Sequence, residues 1–391
     1  MVQEHGKTTI IKCIIDLLEK EKKDYVLAAP TGRAAKRITE TTGKTAKTLH
    51  RLLEILKVDD KDLDSFIDYE VKGVDKDFII IDEASMIDTL MMNNIIKSLS
   101  RKTKLILVGD VNQLPSVGAG AVLKDIINSG KVPIVFLKHI YRQSMQSDII
   151  INAHKVNNGE NLEFKSNDTD LFYINVRSSE EAIKEIQSLV SYRLAGYKKM
   201  DVLKDLQVLT PTKKADLGTG NLNKVIQEIL NKKAEYSKQS GDRVFKPNDK
   251  VMQIINNYDR EYDEEGTRGT GIFNGDIGYV TEINNLEEYV KVVFDDTKVS
   301  KYKFNELEEL EHAYAVTIHK SQGSEYDYVI IPLYNGYKKL FTRNLLYTGM
   351  TRAKKMLIII STTNILNMMI QNVEEKNRKT GLEDSINLLY I

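Results

Sequence analysis

The sequence predicts an α/β fold built on parallel sheets, with a small all-β unit inserted into it. Three observations carry that prediction. Short β-branched apolar runs recur along the 391 residues and end in polar, chemically distinctive residues; such continuous runs suit strands buried on both faces, as in a parallel sheet. Helical stretches separate these runs, and strand alternating with helix gives α/β layers. Residues 242–312 instead show short alternating runs between glycine-rich turns, the pattern of a small barrel.

In chain order, Gly6-Lys7-Thr8-Thr9 comes first and reads as the end of a phosphate loop. An amphipathic helix follows from Thr8 to Lys20, with Ile10, Ile14 and Leu17 on one face. "YVLAAPTGR" from Tyr25 is the first strand. Residues 57–77 hold eight acids and four lysines with no helical period, and read as a solvated insertion. "FIIIDEAS" from Phe78 and "KLILVGDVNQLP" from Lys104 are further strands. A helix over Ser179 to Ala195 precedes the strand "LQVLTPT" from Leu206. After the β-rich region come "YAVTIHKSQG" from Tyr314, "YVIIPL" from Tyr328 and "MLIIIST" from Met356. In such sheets ligands bind beyond the carboxyl ends of strands, which is where the distinctive residues fall.

The bulk properties narrow the class. At ~150 residues per domain, the length predicts two to three domains. Lys+Arg and Asp+Glu both number 56, so net charge points to no nucleic acid and any basic surface is local. A single cysteine, Cys13, excludes a disulfide framework and fits a reducing compartment. No apolar run spans a bilayer and no signal peptide opens the chain, so the expected location is the cytoplasm.

The chemistry begins with Gly6, which lets the backbone approach a phosphate; Lys7 would neutralise it and Thr8 would hold Mg²⁺. Alone, the triplet is equally an exposed helix start. Asp82-Glu83 after a buried strand is the Walker B pattern: Asp82 holds Mg²⁺ through water, and Glu83 orients and deprotonates the attacking water. Alone, it is equally an acidic turn. The two motifs in this order, ~75 residues apart, make the nucleotide reading the stronger. Gln113 carries an amide able to read both a γ-phosphate and the water site, with Gly109 and Pro115 shaping its turn. Arg142 and Arg352 are the arginine-finger candidates, although any one arginine is more often a surface charge. From Thr31 to Arg51 six Lys/Arg face one acid, either a local phosphate-binding patch or a solvated helix face.

The blocks "GKTT", "APTGRAAKR", "TLHRLL", "IIIDEASMID", "GDVNQLPSVGAG", "YRQ", "VTIHKSQGSEYD" and "LLYTGMTRAKK" occur here in order. In this the chain resembles the RecD-type branch of superfamily 1 DNA helicases, over about Gly6 to Leu382. The resemblance implies two RecA-like lobes with an inserted SH3-like β subdomain, ATP and Mg²⁺ between the lobes, and single-stranded DNA across both. Lobe one would cover 1–137, lobe two 138–250 and 313–391, and the SH3-like part 251–312. Lys7, Thr8, Asp82, Glu83, Gln113, Arg142 and Arg352 would form the ATPase centre, with Gly323 and Glu325 touching nucleotide from lobe two. Pro30, Thr31, Arg33, Thr48, His50, Thr317 and His319 match positions that touch the DNA backbone; His319 is alternatively a satisfied core histidine. Residues 55–75 match a pin that splits duplex at junctions. Travel would be 5′ to 3′, in DNA repair or recombination, by a monomer.

The front of the phosphate loop departs from the pattern. G-x-x-x-x-G-K-[ST] needs its first glycine at position 1, where Met1 stands, and Glu4 sets a negative charge beside a polyanion. The strand that delivers such a loop is missing from the sequence, and its absence would leave neighbouring strands exposed or the sheet closed up. The chain therefore reads as the motor portion of a longer parent, with further N-terminal domains expected there. A DNA-binding remnant without turnover and a P-loop enzyme acting on small molecules are the rival readings.

Overall fold

The computed structural model describes the chain except Met1 and residues 56–70, 138–146, 198–199, 233–235, 335, 337, 374–377, 379 and 390–391. It divides into two compact units, Met1–Met145 with Val373–Ile391, and Gln146–Asn372. The predicted pin and Arg142 fall largely or wholly on positions outside the described residues.

The first unit opens with helix α1 (Val2–Lys20), then β1 (Tyr25–Ala29), α2 (Gly32–Thr42), β2 (Ala46–Thr48) and α3 (Leu49–Leu52). β3 (Phe78–Ile81), α4 (Thr89–Ser98), β4 (Lys104–Leu107) and α5 (Val122–Ser129) complete its main body. The four strands form one parallel sheet in the order β2-β1-β3-β4, with Tyr25 opposite Phe78 and Phe78 opposite Lys104. Side chains alternate across a sheet, so each strand feeds two cores. Leu27, Ala29 and Ile80 meet Ile11, Ile15 and Leu18 of α1 and Ile38 of α2. Ala28, Ile79 and Ile81 meet Leu49, Ile95 and Leu123 on the other side. β4 is an edge strand among the described residues, and its Leu105, Ile106 and Leu107 are only half-buried.

The second unit contains α6 (Asp148–Asn158), β5 (Leu171–Asn175), α7 (Ser179–Ser188), α8 (Val202–Asp205), β6 (Leu206–Thr210) and α9 (Thr219–Leu230). α7 runs on into a π-helical turn over Leu189–Arg193, which accounts for the long helical stretch read there. A short hairpin, β7 (Lys238–Ser240) and β8 (Arg243–Phe245), leads into the β-rich region. That region holds β9 (Lys250–Gln253), β10 (Asn257–Glu264), β11 (Thr267–Ile272), β12 (Ile277–Asn284), β13 (Tyr289–Phe294), β14 (Lys298–Lys303) and β15 (Leu310–His312). These seven form an antiparallel sheet around Val251, Val280, Val290, Val292, Phe294 and Tyr302. The chain then returns through β16 (Ala315–Thr317), β17 (Tyr326–Pro332), α10 (Arg343–Met350), β18 (Ala353–Ser361) and α11 (Thr363–Gln371). The parallel sheet here runs β16-β6-β17-β18-β5. Helix α12 (Leu382–Leu389) packs with α5, its Leu382 joining the first unit's core. For that reason residues 373–391 group with the first unit rather than with the second, where the sequence reading puts them.

One buried carboxylate joins the β-rich region to the second unit's helices. Asp249 is fully buried and accepts from Gln227 Nε2 at 2.6 Å, Asn231 Nδ2 at 2.7 Å, Tyr314 Oη at 2.8 Å and the Lys246 amide at 2.8 Å. His312 Nε2 lies 3.2 Å from the same carboxylate. A buried charge so fully bonded is tolerated, whereas an unbonded one is not.

Candidate functional site

The first unit gathers predicted residues at the carboxyl edge of its sheet. Asp82 follows β3 directly; its amide donates to the Ala28 carbonyl at 3.1 Å and its Oδ1 accepts the Glu83 amide at 2.8 Å. Glu83 is buried and left-handed, at φ 54° and ψ 38°. A non-glycine residue held there costs on the order of 1–3 kcal/mol and persists only where its surroundings over-determine it. The chain then turns through a 3-10 helix, Ala84–Met86, whose first amide donates to Val108 beyond β4 at 2.9 Å. Gly109 is needed for close approach here. A Cβ on it would stand 2.7 Å from Leu123 Cδ2 and 3.1 Å from the Ser85 amide nitrogen. Gln113 is buried, on a turn braced by the Asp110 carboxylate, which accepts the Asn112 amide at 3.0 Å. Asp82, Glu83 and Gln113 thus come from neighbouring parallel strands at one sheet edge.

The phosphate-loop reading needs correction in its backbone. Gly6, Lys7, Thr8 and Thr9 lie inside α1, which begins at Val2 rather than at Thr8. Beyond the first turn a helix bonds its amides internally, so those of Gly6 to Thr9 do not form a phosphate cradle. Lys7 is buried and Thr9 exposed. The acidic side of the site fits Mg·ATP, whereas the Gly6–Thr9 backbone does not.

The predicted DNA contacts of this unit sit at helix starts. Thr31, between Pro30 and Arg33, caps α2 and accepts the Ala34 amide at 3.2 Å. Thr48 caps α3, accepting the Arg51 amide at 3.2 Å. Each threonine keeps a hydroxyl proton to donate. His50 is exposed on α3. Part of the basic stretch is spent on ion pairs, Lys36 with Glu40 at 3.6 Å and Lys44 with Glu19 at 2.6 Å.

The second unit gathers its own set around β16, β17 and β18. Thr317 ends β16, is buried, and accepts the Lys320 amide at 3.2 Å. His319 is half-buried in the 3-10 helix His319–Ser321, and burial holds its imidazole below the ordinary pKa. Gly323 has φ +75°, which favours glycine. Glu325 pairs with Lys354 at 3.2 Å. Arg352 is fully buried: Nη1 donates to the Ser324 carbonyl at 3.0 Å, Nε to the Thr348 carbonyl at 3.2 Å and Nη2 to Thr351 Oγ1 at 3.2 Å. Gly323–Glu325 and Arg352–Lys354 therefore form one cluster. Thr348 was missed by sequence reasoning because it takes part through its backbone carbonyl, which any residue offers. Asp110, bracing the Gln113 turn, carries no comparable signal.

Two parallel α/β sheets, an acidic pair after one strand and an inserted antiparallel sheet make up the RecA-like architecture with a β subdomain that superfamily 1 helicases share. Residues 5–170 match the AAA domain family, residues 222–294 the ATP-dependent RecD-like DNA helicase SH3 domain, and residues 312–360 the UvrD-like helicase C-terminal domain. The chain is 30% identical over 432 residues to the RecBCD enzyme subunit RecD of Buchnera aphidicola from Schizaphis graminum, covering 92% of this chain and 69% of that one. It is 32% identical over 349 residues to the ATP-dependent RecD2 DNA helicase of Deinococcus radiodurans, covering 89% of this chain and 44% of that one. It spans 38% of an uncharacterised Methanocaldococcus jannaschii protein at 31% identity, so it covers under half the length of these two relatives. The Bacteroides Pif1 helicase solved with ADP-AlF3 and ssDNA shares the fold, with TM-score 0.55 and 20% identity over 98% of this chain and 91% of that one. The chain belongs to the RecD family of superfamily 1 helicases.

Proposed function

We propose that this chain is the motor part of an ATP-dependent DNA helicase that translocates on single-stranded DNA, 5′ to 3′, in repair or recombination. The observation that carries the reading is the buried, left-handed Glu83 beside Asp82, with Gln113 on the turn that follows the neighbouring strand. Mg·ATP supplies the phosphoanhydride. Asp82, with Thr8, would hold the metal and Lys7 would face the phosphates. Glu83 takes the proton of the attacking water, and Gln113 senses the nucleotide state. Arg352 and Arg142 supply positive charge. No phosphate-binding step is assigned to the Gly6–Thr9 amides.

The DNA reading rests on Thr31, Thr48, Thr317 and His319, whose hydroxyls and imidazole suit backbone contacts that carry no sequence code. The Bacteroides Pif1 structure contains ssDNA, and another concerns Pif1 helicases at forked dsDNA, at TM-score 0.52. Single strands and fork junctions are accordingly the proposed substrates. The Buchnera relative is a subunit of the RecBCD enzyme, which makes further subunits proposed partners. Among the described residues no helix is long and apolar enough to cross a membrane; a cytoplasmic site of action is the corresponding proposal.

The test is ATP hydrolysis with and without single-stranded DNA, in the chain and in Lys7→Ala. DNA should stimulate the first at least about tenfold and the second hardly at all. Equal background rates in both would leave a DNA-binding protein without turnover.

A further inference from the structure

The chain passes between the units at two points, after Met145 and after Asn372. Beyond the second, the return segment is fastened to the first unit at three places. Arg378 donates through Nη1 to the Gly118 carbonyl at 2.8 Å, the Gly120 carbonyl at 3.0 Å and Ser116 Oγ at 3.4 Å. Thr380 Oγ1 donates to Asp125 Oδ2 on α5 at 2.8 Å. Asn128 Nδ2 donates to Glu383 Oε2 at 3.2 Å, while Leu382 enters the apolar core.

The loop held by Arg378 is the continuation of the Gln113 turn. Its opposite side rests on the start of α4. Thr89 donates to the intervening Ala119 carbonyl twice, from its amide at 3.0 Å and its hydroxyl at 3.1 Å. Carbonyls 118 and 120 thus serve Arg378, and carbonyl 119 serves α4. There is no slack between them: a Cβ on Gly118 would lie 2.1 Å from Asp88 Oδ2, and one on Gly120 2.1 Å from Thr89 Oγ1. α4 itself follows the turn that starts at Glu83. All three contacts converge on Nη1, whose two hydrogens they share, and a rigid guanidinium fork holds that nitrogen in place better than an ammonium on a flexible stem.

We propose that Arg378 is a positioning residue for ATP turnover: it clamps the loop carrying Gln113 against α4 and ties that loop to the chain leaving the second unit. The turnover half rests on the function proposed above; the clamp does not. The test compares the full chain with Arg378→Ala and Arg378→Lys by amide hydrogen exchange over residues 110–121, and by ATPase kcat and KM. The alanine variant should exchange at least about tenfold faster in 116–121 and leave β1 and β3 unchanged. Its kcat should fall about tenfold with KM for ATP within about twofold, and lysine should recover part of both effects. Unchanged loop exchange, or a uniform rise throughout the first unit, overturns the clamp. A raised KM with kcat intact overturns the link to turnover. A parent chain with no DNA-stimulated turnover sinks the ATPase reading by itself, and loop exchange alone then decides on the clamp.

Discussion

β4 and β18 are built from almost the same letters, "KLIL" against "MLIII", yet they live in different surroundings. β18 lies between β17 and β5, and its Met356 to Ser361 are all buried. β4 pairs with β3 on one side only among the described residues, and its apolar side chains stay half-exposed. Later in the same unit Val135 and Phe136 are 86% and 57% exposed. An apolar run therefore identifies a strand without saying whether it is central or peripheral. The second unit binds its polar cluster into a complete core, whereas the first sets its acids on a strained turn beside an open edge.

The sharpest way to break this contrast is Arg352→Ala. It removes the guanidinium donors to the Ser324 and Thr348 carbonyls and opens a cavity in their place, and should destabilise the second unit by about 3–5 kcal/mol. Hydrogen exchange of β17 and β18 amides measures it; a loss confined to ATPase rate would mean that the guanidinium is not structural. Next, Ile359→Ala in β18 should cost about 3 kcal/mol and Ile106→Ala in β4 about 1 kcal/mol. Equal losses in urea unfolding would erase the distinction between centre and edge. Thr31→Ala removes a cap and should cost about 1 kcal/mol. If single-stranded DNA affinity also falls more than about tenfold, the hydroxyl does more than cap.

The smallest effect concerns pH. Burial lowers the folded-state pKa of His319, so the unfolded chain binds this proton more readily. The corresponding stability is fully present above the unfolded pKa of about 6.5 and is lost as pH falls below it. A drop in Tm between pH 7 and pH 5.5, smaller in His319→Gln, is the expected result; identical drops would show that His319 contributes nothing.

Much of this was legible from residues alone. Continuous apolar runs located β1, β3, β6, β17 and β18, because burial on both faces leaves that signature; the run of β4 marked a strand although it lies half-exposed at an edge. The positions of the acids and Gln113 beyond strand ends were legible because the apolar runs before them mark where each strand stops. The helical backbone through Gly6 to Thr9 was not, since one glycine in a helix costs only about 1 kcal/mol and neighbouring residues decide. Glu83's left-handed geometry was equally hidden: nothing in the side chain asks for it, and the Ala84 amide after it bonds Val108, beyond a different strand. β2 and β5 escaped because short or half-exposed strands lack the continuous run.

The carboxylate at Asp249 has a consequence for anyone rebuilding this molecule. Its donors come from both sides of a seam, Gln227 and Asn231 at the end of one helix and His312 and Tyr314 from the strand region and the segment beyond it. Moving this β-region into another host with Asp249 attached would bury an anion away from those amides. Grafts that begin at Asp249 should misfold, and grafts that carry the preceding helix along should survive.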